Sequence, residues 1–215
     1  MNHKTDQLPH SGPCERNKQA IFDILAPLLG NACRLLEIGS GTGQHAVWMA
    51  KQAPHITWQP SEIEDNLAAL KLRLDVEAPG NVRAAIIIDV AEECWSDHNP
   101  DILFTCNTFH IMSEQHVEAF WQHAGTLLKT DALVIVYGPF KYANEFTTPS
   151  NARFDIWLKQ RDPASGLRDF EWVNELADKN HFICIADHAM PTNNQCIIWR
   201  KSSTKTQRKP LTIDG

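Results

Sequence analysis

No window of this 215-residue sequence is long and apolar enough to cross a bilayer, and its polar start, MNHKTDQLPHSGP, lacks the apolar core of a secretory signal. A soluble, cytoplasmic protein is expected. The six cysteines, Cys14, Cys33, Cys94, Cys106, Cys184 and Cys196, include no C-x-x-C pair, so neither a zinc site nor a disulfide framework is indicated. Reduced thiols are expected, several of them in buried strands. An excess of positive charge is also missing: the formal net charge is -6, which gives no general attraction to nucleic-acid backbones. The exception is the basic, polar end RKSSTKTQRKPLTIDG, where residues 202–215 read as a disordered, solvated tail. No repeat or linker divides the chain. Residues 14–201 are therefore taken as one domain behind a flexible N-terminus of residues 1–13.

Strand and helix signals alternate through that domain. CERNKQAIFDILAPLLG places Ile21, Ile24, Leu25 and Leu28 at helical spacing and reads as a first helix. Strands are expected at Arg34 to Ile38, Ile56 to Gln59, Ala84 to Asp89, Ile102 to Cys106, Ala132 to Tyr137, Phe182 to His188 and Cys196 to Arg200. Helical stretches separate all but the last two, which implies a parallel sheet with right-handed crossovers. The last two are joined by the short polar turn MPTNNQ and should form a hairpin, so the sheet should end in one antiparallel strand. The expected fold is α/β, a class I methyltransferase (Rossmann-like) arrangement. Its sheet is seven-stranded and mostly parallel, with a C-terminal antiparallel hairpin and helices on both faces.

What is present most densely is glycine in one place. In LLEIGSGTGQHAVWMA, a buried strand meets Gly39, Ser40, Gly41 and Gly43 directly ahead of a helix beginning at Gln44. Backbone without Cβ atoms can approach a nucleotide closely there. The dinucleotide fingerprint is G-x-G-x-x-G, whereas here the third glycine comes one position early. Glu37 ends the first strand, and a carboxylate there repels a pyrophosphate but suits the ammonium of a methionyl group. Glu62 after the second strand can accept from both ribose hydroxyls. Asp89, ending the third, can accept from an adenine amino group, with Val90 supplying a backbone donor. The alternative for Glu62 and Asp89 is that they are polar residues where strands reach the surface. The ligand that fits the set is S-adenosyl-L-methionine (SAM).

The segments CERNKQAI, LLEIGSGTGQHA, TWQPSE, NTFHI, YGPF, SNARFD, RDPASGLRDFE and MPTNNQCIIWR resemble the domain-of-unknown-function 938 family of SAM-dependent methyltransferase-like proteins, also called the methyltransferase-like 26 family. The likeness runs from about Gly12 to Arg200. It implies the class I fold and the SAM cofactor, and it supplies no substrate. Relatives often carry aspartate where this chain has Glu62.

Methyl transfer from a sulfonium needs mainly alignment, charge environment and exclusion of water, with a base only for a weakly acidic acceptor. His110, in CNTFHIM after the fourth strand, is the candidate base; the alternative is a histidine packed at a helix start. Asn107 could orient the acceptor or the methionyl group. Tyr137 offers a phenol after the fifth strand, or is a packing residue. His45 could shape the cofactor pocket, cap the helix or lie at the surface. In a parallel sheet, the loops after strands four and five and the hairpin turn reach the same carboxyl edge. This brings Asn193 and Asn194 to the rim, along with Arg16 and Asn17 from the start of the first helix; the alternative for Asn193 and Asn194 is that they satisfy turn geometry. The polar stretch TTPSNARFDIWLKQRDPASGLRDFE reads as a lid, with Ser150, Asn151 and Arg168 as contacts. The expected reaction is methylation of a small, polar or anionic acceptor. The alternatives are a non-catalytic SAM-binding sensor or a partner-stabilising subunit. A reductase is disfavoured by the glycine spacing and Glu37. A thiol hydrolase on Cys106 and His110 is disfavoured by the expected burial of the cysteine.

Overall fold

A computed structural model describes residues 8–30, 33–92, 95 and 99–203. Cys94, residues 1–7 of the expected flexible N-terminus and residues 204–215 of the expected tail lie outside the described residues. In chain order the elements are α1 (Gly12–Leu25), β1 (Arg34–Ile38), α2 (Gln44–Gln52), β2 (Thr57–Glu62), α3 (Leu67–Glu77), β3 (Ile86–Ile87), β4 (Ile102–Cys106), α4 (Glu114–Leu127) and β5 (Leu133–Gly138). After these come β6 (Phe140–Tyr142), β7 (Glu145–Phe146), α5 (Pro149–Arg161), β8 (Arg168–Asp169), α6 (Phe170–Lys179), β9 (Phe182–Met190) and β10 (Asn194–Lys201).

The main sheet runs β3-β2-β1-β4-β5-β10-β9. β1 pairs in parallel with β2 and β4, and β4 with β5. β10 is antiparallel to both β5 and β9. The reversed strand is thus last in the chain but second from the edge of the sheet, not at its end. Burial explains the placement. Cys196 to Trp199 are all buried, whereas β9 alternates between more and less exposed positions. The continuous apolar run takes the inner place and the alternating one the edge.

Two further expectations need correction. Of Ala84 to Asp89, only Ile86–Ile87 forms a strand, paired with Ser61 and Glu62. Arg83, Ala84 and Ile87 are exposed, so this margin buries too little side chain to hold a longer ladder. No helix joins β3 to β4 among the described residues, and residues 93, 94 and 96–98 of that connection lie outside them.

Two apolar layers flank the sheet. Ile21 and Leu25 of α1, Ala46 and Met49 of α2, Trp58 and Phe104 fill one. Phe120, Trp121, Val173, Phe182 and Trp199 fill the other, with the Trp121 and Trp199 rings edge to face at 5.1 Å. The segment after β5 folds into a second sheet, β7-β6-β8, with α5 beside it. Thr148 caps α5 by accepting from the Asn151 amide at 3.2 Å, with Pro149 at the first helical position. No described helix is long and apolar enough to cross a membrane.

Candidate functional site

The glycine turn is fixed by hydrogen bonds to the carboxyl end of β2. The Ser40 amide donates to the Ser61 carbonyl at 2.8 Å, and the Gly41 amide donates to Glu62 Oε1 at 3.0 Å. The other Glu62 oxygen accepts from the Ile63 amide at 2.7 Å. Gly39, Gly41 and Gly43 all have positive φ, at 70°, 55° and 75°, a region costly to residues with a Cβ. Their surroundings differ. A Cβ on Gly39 would lie 2.5 Å from Thr108 Cγ2, and one on Gly43 would lie 2.8 Å from Leu70 Cδ1. A Cβ on Gly41 would meet nothing within 4 Å.

Gly41 also lines a cavity of about 860 Å³ along the carboxyl edge of the sheet. Gly39, Ser40, Gly41, Glu62, Asp89 and Val90 line it. So do Asn107, His110, Tyr137, Ser150, Asn151 and Asn194, with Arg16 and Asn17 from α1. Glu37, Gly43, Arg168 and Asn193 are not on its wall. Glu37 lies beneath it, 1% exposed, accepting from the Ser40 hydroxyl at 2.9 Å and from Trp58 Nε1 at 3.0 Å. Burial pushes its carboxyl up to about 7 despite those two donors. Gly43 serves packing against α3, as its contact with Leu70 shows. Asn193 ties the hairpin turn to α5: its amide donates to the Ser150 hydroxyl at 3.0 Å, and its carbonyl accepts from Asn151 Nδ2 at 2.9 Å.

Arg168 is the main departure from the sequence reading. Its guanidinium donates to the carbonyls of Phe109 (3.1 Å), Ala164 (2.7 Å) and Met112, and it faces Glu114 at 3.6 Å. It pins the segment after α5 to the loop after β4 and is not on the cavity wall. Arg16, by contrast, lies at the cavity with no carboxylate partner among the described residues.

His110 is 5% exposed, with its ring edge-on to Phe154 at 5.3 Å. Burial, reinforced by the charge of Arg168, lowers its pKa to about 4. Tyr137 is raised to about 12, first by burial and then by Cys106, against a smaller downward pull from Asn17, Asn194 and Thr192. Both groups are neutral across the physiological range.

Sequence reasoning left His45 undecided and missed the cluster it belongs to. Its Nε2 bonds Asn17 Oδ1 at 2.8 Å, Asn17 Nδ2 reaches Cys106 Sγ at 3.9 Å, and burial lowers the imidazole pKa to about 4. The cluster joins α1, α2 and β4 at the cavity wall, which all three residues line. His45 one residue into the helix after the glycine turn was the available signal; nothing in sequence paired it with Asn17. Cys106 lines the cavity, but burial pushes its thiol well above the ordinary value, so it is no thiolate nucleophile.

These groups set a pH dependence of stability. His45 and His110 are depressed from 6.5 to about 4. The unfolded chain therefore binds more protons between those values, and their contribution is present above 6.5 and lost as pH falls through 4. Glu37 is raised from 4.5 to about 7. Its contribution is present below 4.5 and lost as pH rises through 7. The two histidines outweigh the one carboxyl where the windows overlap. The unfolding temperature should fall on acidification from pH 6.5 to 4.5, with a shallower fall in His45→Gln. Equal stability at both ends of that range would contradict this assignment.

The model of the family described as "Protein of unknown function (DUF938)" matches residues 9–201. Among solved structures, the fold is similar to an O-methyltransferase family protein from Burkholderia thailandensis, with TM-score 0.73 and 15% identity over 88% of this chain and 57% of the other. It is similar to human N-acetylserotonin methyltransferase in complex with SAM, with TM-score 0.73 and 11% identity over 88% and 53%. It is similar also to a mitomycin 7-O-methyltransferase, with TM-score 0.72 and 14% identity over 87% and 54%. The chain therefore has the methyltransferase fold and spans little more than half the length of each of these proteins.

Proposed function

We propose that this chain, which belongs to the DUF938 family, is a class I SAM-dependent methyltransferase acting in the cytoplasm on a small, polar or anionic acceptor. The observation that carries the reading is one cavity whose wall holds two chemically distinct sets of residues: the glycine turn with Glu62 and Asp89, and His110 and Tyr137 with Arg16.

The residues fit the cofactor. Gly41 leaves its Cβ direction open to the cavity, and the carboxylates of Glu62 and Asp89 are acceptors suited to ribose hydroxyls and an adenine amino group. When bound, SAM supplies a methyl group on a positively charged sulfur. Glu37 beneath the turn adds negative charge once ionised, and the Val90 amide is a donor for the adenine ring. Asn107 orients the methionyl group or the acceptor. His110, neutral and on the wall, can take a proton from the acceptor, and the Tyr137 hydroxyl, with Asn17 and Asn194, can hold it in line. Arg16 offers the one cation of the wall to an anionic group. Ser150 and Asn151 on α5, with Asn193 bracing the turn beside them, belong to the cover that excludes water. The low identity to small-molecule O-methyltransferases supports a small acceptor through the shared fold alone. Nothing in the acidic composition argues for nucleic acid.

The direct test is calorimetric titration with SAM and S-adenosylhomocysteine (SAH), followed by incubation with methyl-labelled SAM and a metabolite extract of the source cell. Absence of SAM binding would end the reading, whereas binding without product would favour a sensor or stabilising subunit. Glu62→Ala should weaken SAM binding by about 1–3 kcal/mol, since it removes an acceptor and frees the turn amide it holds. An unchanged affinity would make Glu62 a brace for the turn only.

A further inference from the structure

The loop after β4 is held from outside the cavity by the segment between α5 and β8. Residues 107–112 form neither helix nor strand, and the amides of Ile111 and Met112 donate to the Thr108 carbonyl, so the carbonyls that follow need partners from elsewhere. Four in succession find them in one place. The Phe109 carbonyl accepts from Arg168 Nε at 3.1 Å, that of His110 from the Gly166 amide at 2.9 Å, that of Ile111 from the Ser165 hydroxyl at 2.9 Å, and that of Met112 from the Arg168 guanidinium. His110, Ile111 and Met112 line the cavity, whereas Ser165, Gly166 and Arg168 do not. The holding segment is fixed in turn to α5, since Asp155 Oδ1 accepts from the Leu167 amide at 2.8 Å. Gly166 sits at φ 151° against this carboxylate, and a Cβ there would lie 2.9 Å from Asp155 Oδ1, so the close approach requires glycine. Asp155 is 3% exposed and off the cavity wall; one residue before it, Phe154 is on the wall with its ring edge-on to that of His110 at 5.3 Å.

Resting on the methyltransferase reading, we infer that Ser165, Gly166 and Arg168 are positioning residues for the transfer: they fix the backbone of residues 109–112 so that His110 stands at the acceptor, and Asp155 ties that backbone to the helix covering the cavity. A loop whose successive carbonyls are bonded to a second segment moves only with that segment. The consequence for rate is large, because a misplacement of about 1 Å by a change far from the chemistry can cost about a hundredfold. α5 also carries Ser150 and Asn151 on the cavity wall. The bonds through Asp155 therefore set the place of His110 and the place of the cover together. Arg168, off the wall, acts through the loop and not by touching the acceptor.

Asp155→Ala and Asp155→Asn test this, because asparagine keeps the oxygen that accepts from Leu167 and alanine does not. Affinity is read by calorimetry with SAH. Turnover per folded molecule is read, below the unfolding temperature, with methyl-labelled SAM and a metabolite extract of the source cell. Asp155→Ala should bind SAH within about twofold of wild type, while its labelling rate falls by about tenfold or more at every extract concentration. Asp155→Asn should restore the rate to within about threefold of wild type. The imidazole signal of His110 in the NMR spectrum, assigned with His110→Gln, should shift in Asp155→Ala and keep its place in Asp155→Asn. Should Asp155→Ala fail to fold, Ser165→Ala carries the same test, since it removes only the bond to the Ile111 carbonyl; its rate should fall by about threefold or more. A wild-type rate or an unmoved His110 signal in the alanine variant, a loss that asparagine does not rescue, one that disappears at high extract concentration, or an equal loss of SAH affinity would each overturn the inference, with wild-type labelling intact. Wild type that binds SAH but labels nothing would overturn the catalytic reading, and this inference with it.

Discussion

Gly41→Val is expected to abolish SAM binding, with no heat detected by calorimetry at ligand concentrations a hundred times those that saturate the wild type. Two effects add. The turn holds Gly41 at φ 55°, where a residue with a Cβ is disfavoured by roughly 1–2 kcal/mol. The larger effect is spatial: the Cβ points where the protein has no atom within 4 Å, so the two methyl groups of valine would occupy cavity volume beside Glu62. Gly41→Ala separates the two contributions, since it carries the same backbone cost with less intrusion and should retain weakened binding. Circular dichroism should show both variants folded. Wild-type affinity in Gly41→Val would mean that the cofactor does not pass over this turn.

His110→Ala should lower turnover by about a hundredfold or more while leaving SAM affinity nearly unchanged. The histidine rises from the loop after β4 beside Phe154 and Gly138, whereas Glu62 and Asp89 come from β2 and the segment after β3. Its low proton affinity also sets the form of the pH profile. A base must be unprotonated to act, so the wild-type rate should hold through the neutral range and fall only as pH drops toward about 4, and the variant should lack that limb. Parallel losses of affinity and turnover would make His110 a packing residue of the loop. Undiminished turnover would mean that acceptors arrive already deprotonated.

The two halves of the site were not equally legible in sequence. The proposed cofactor half comes from contiguous segments: a strand, a glycine turn and acids at the ends of the next two strands. Chain direction in a parallel sheet then delivers them to one edge. The proposed acceptor half is assembled from α1, the loop after β4, the end of β5, α5 and the hairpin turn, and no spacing rule relates these to one another. Arg168 illustrates the difference. As a cation in a polar stretch of an acidic chain, it read as an acceptor ligand, but three backbone carbonyls take its donors. Asn193 read as a rim contact and instead braces the turn against α5.

Sequence alone determined the class I fold, the seven strands of its main sheet and the edge along which the cavity lies. Those properties follow from hydrophobic period, connection length and local turn chemistry, which act between near neighbours in the chain. Tertiary structure decided which glycine faces open space and which are wedged against Thr108 and Leu70. It decided that Glu37 lies under the wall, and that the last strand enters between β5 and β9. It also decided that His45, Asn17 and Cys106 form one buried cluster. Each of these depends on what burial leaves beside a group after distant segments have packed. Burial also sets the charge states of His45, His110 and Glu37, since removing water from an ionisable group disfavours its charged form whatever its neighbours in sequence.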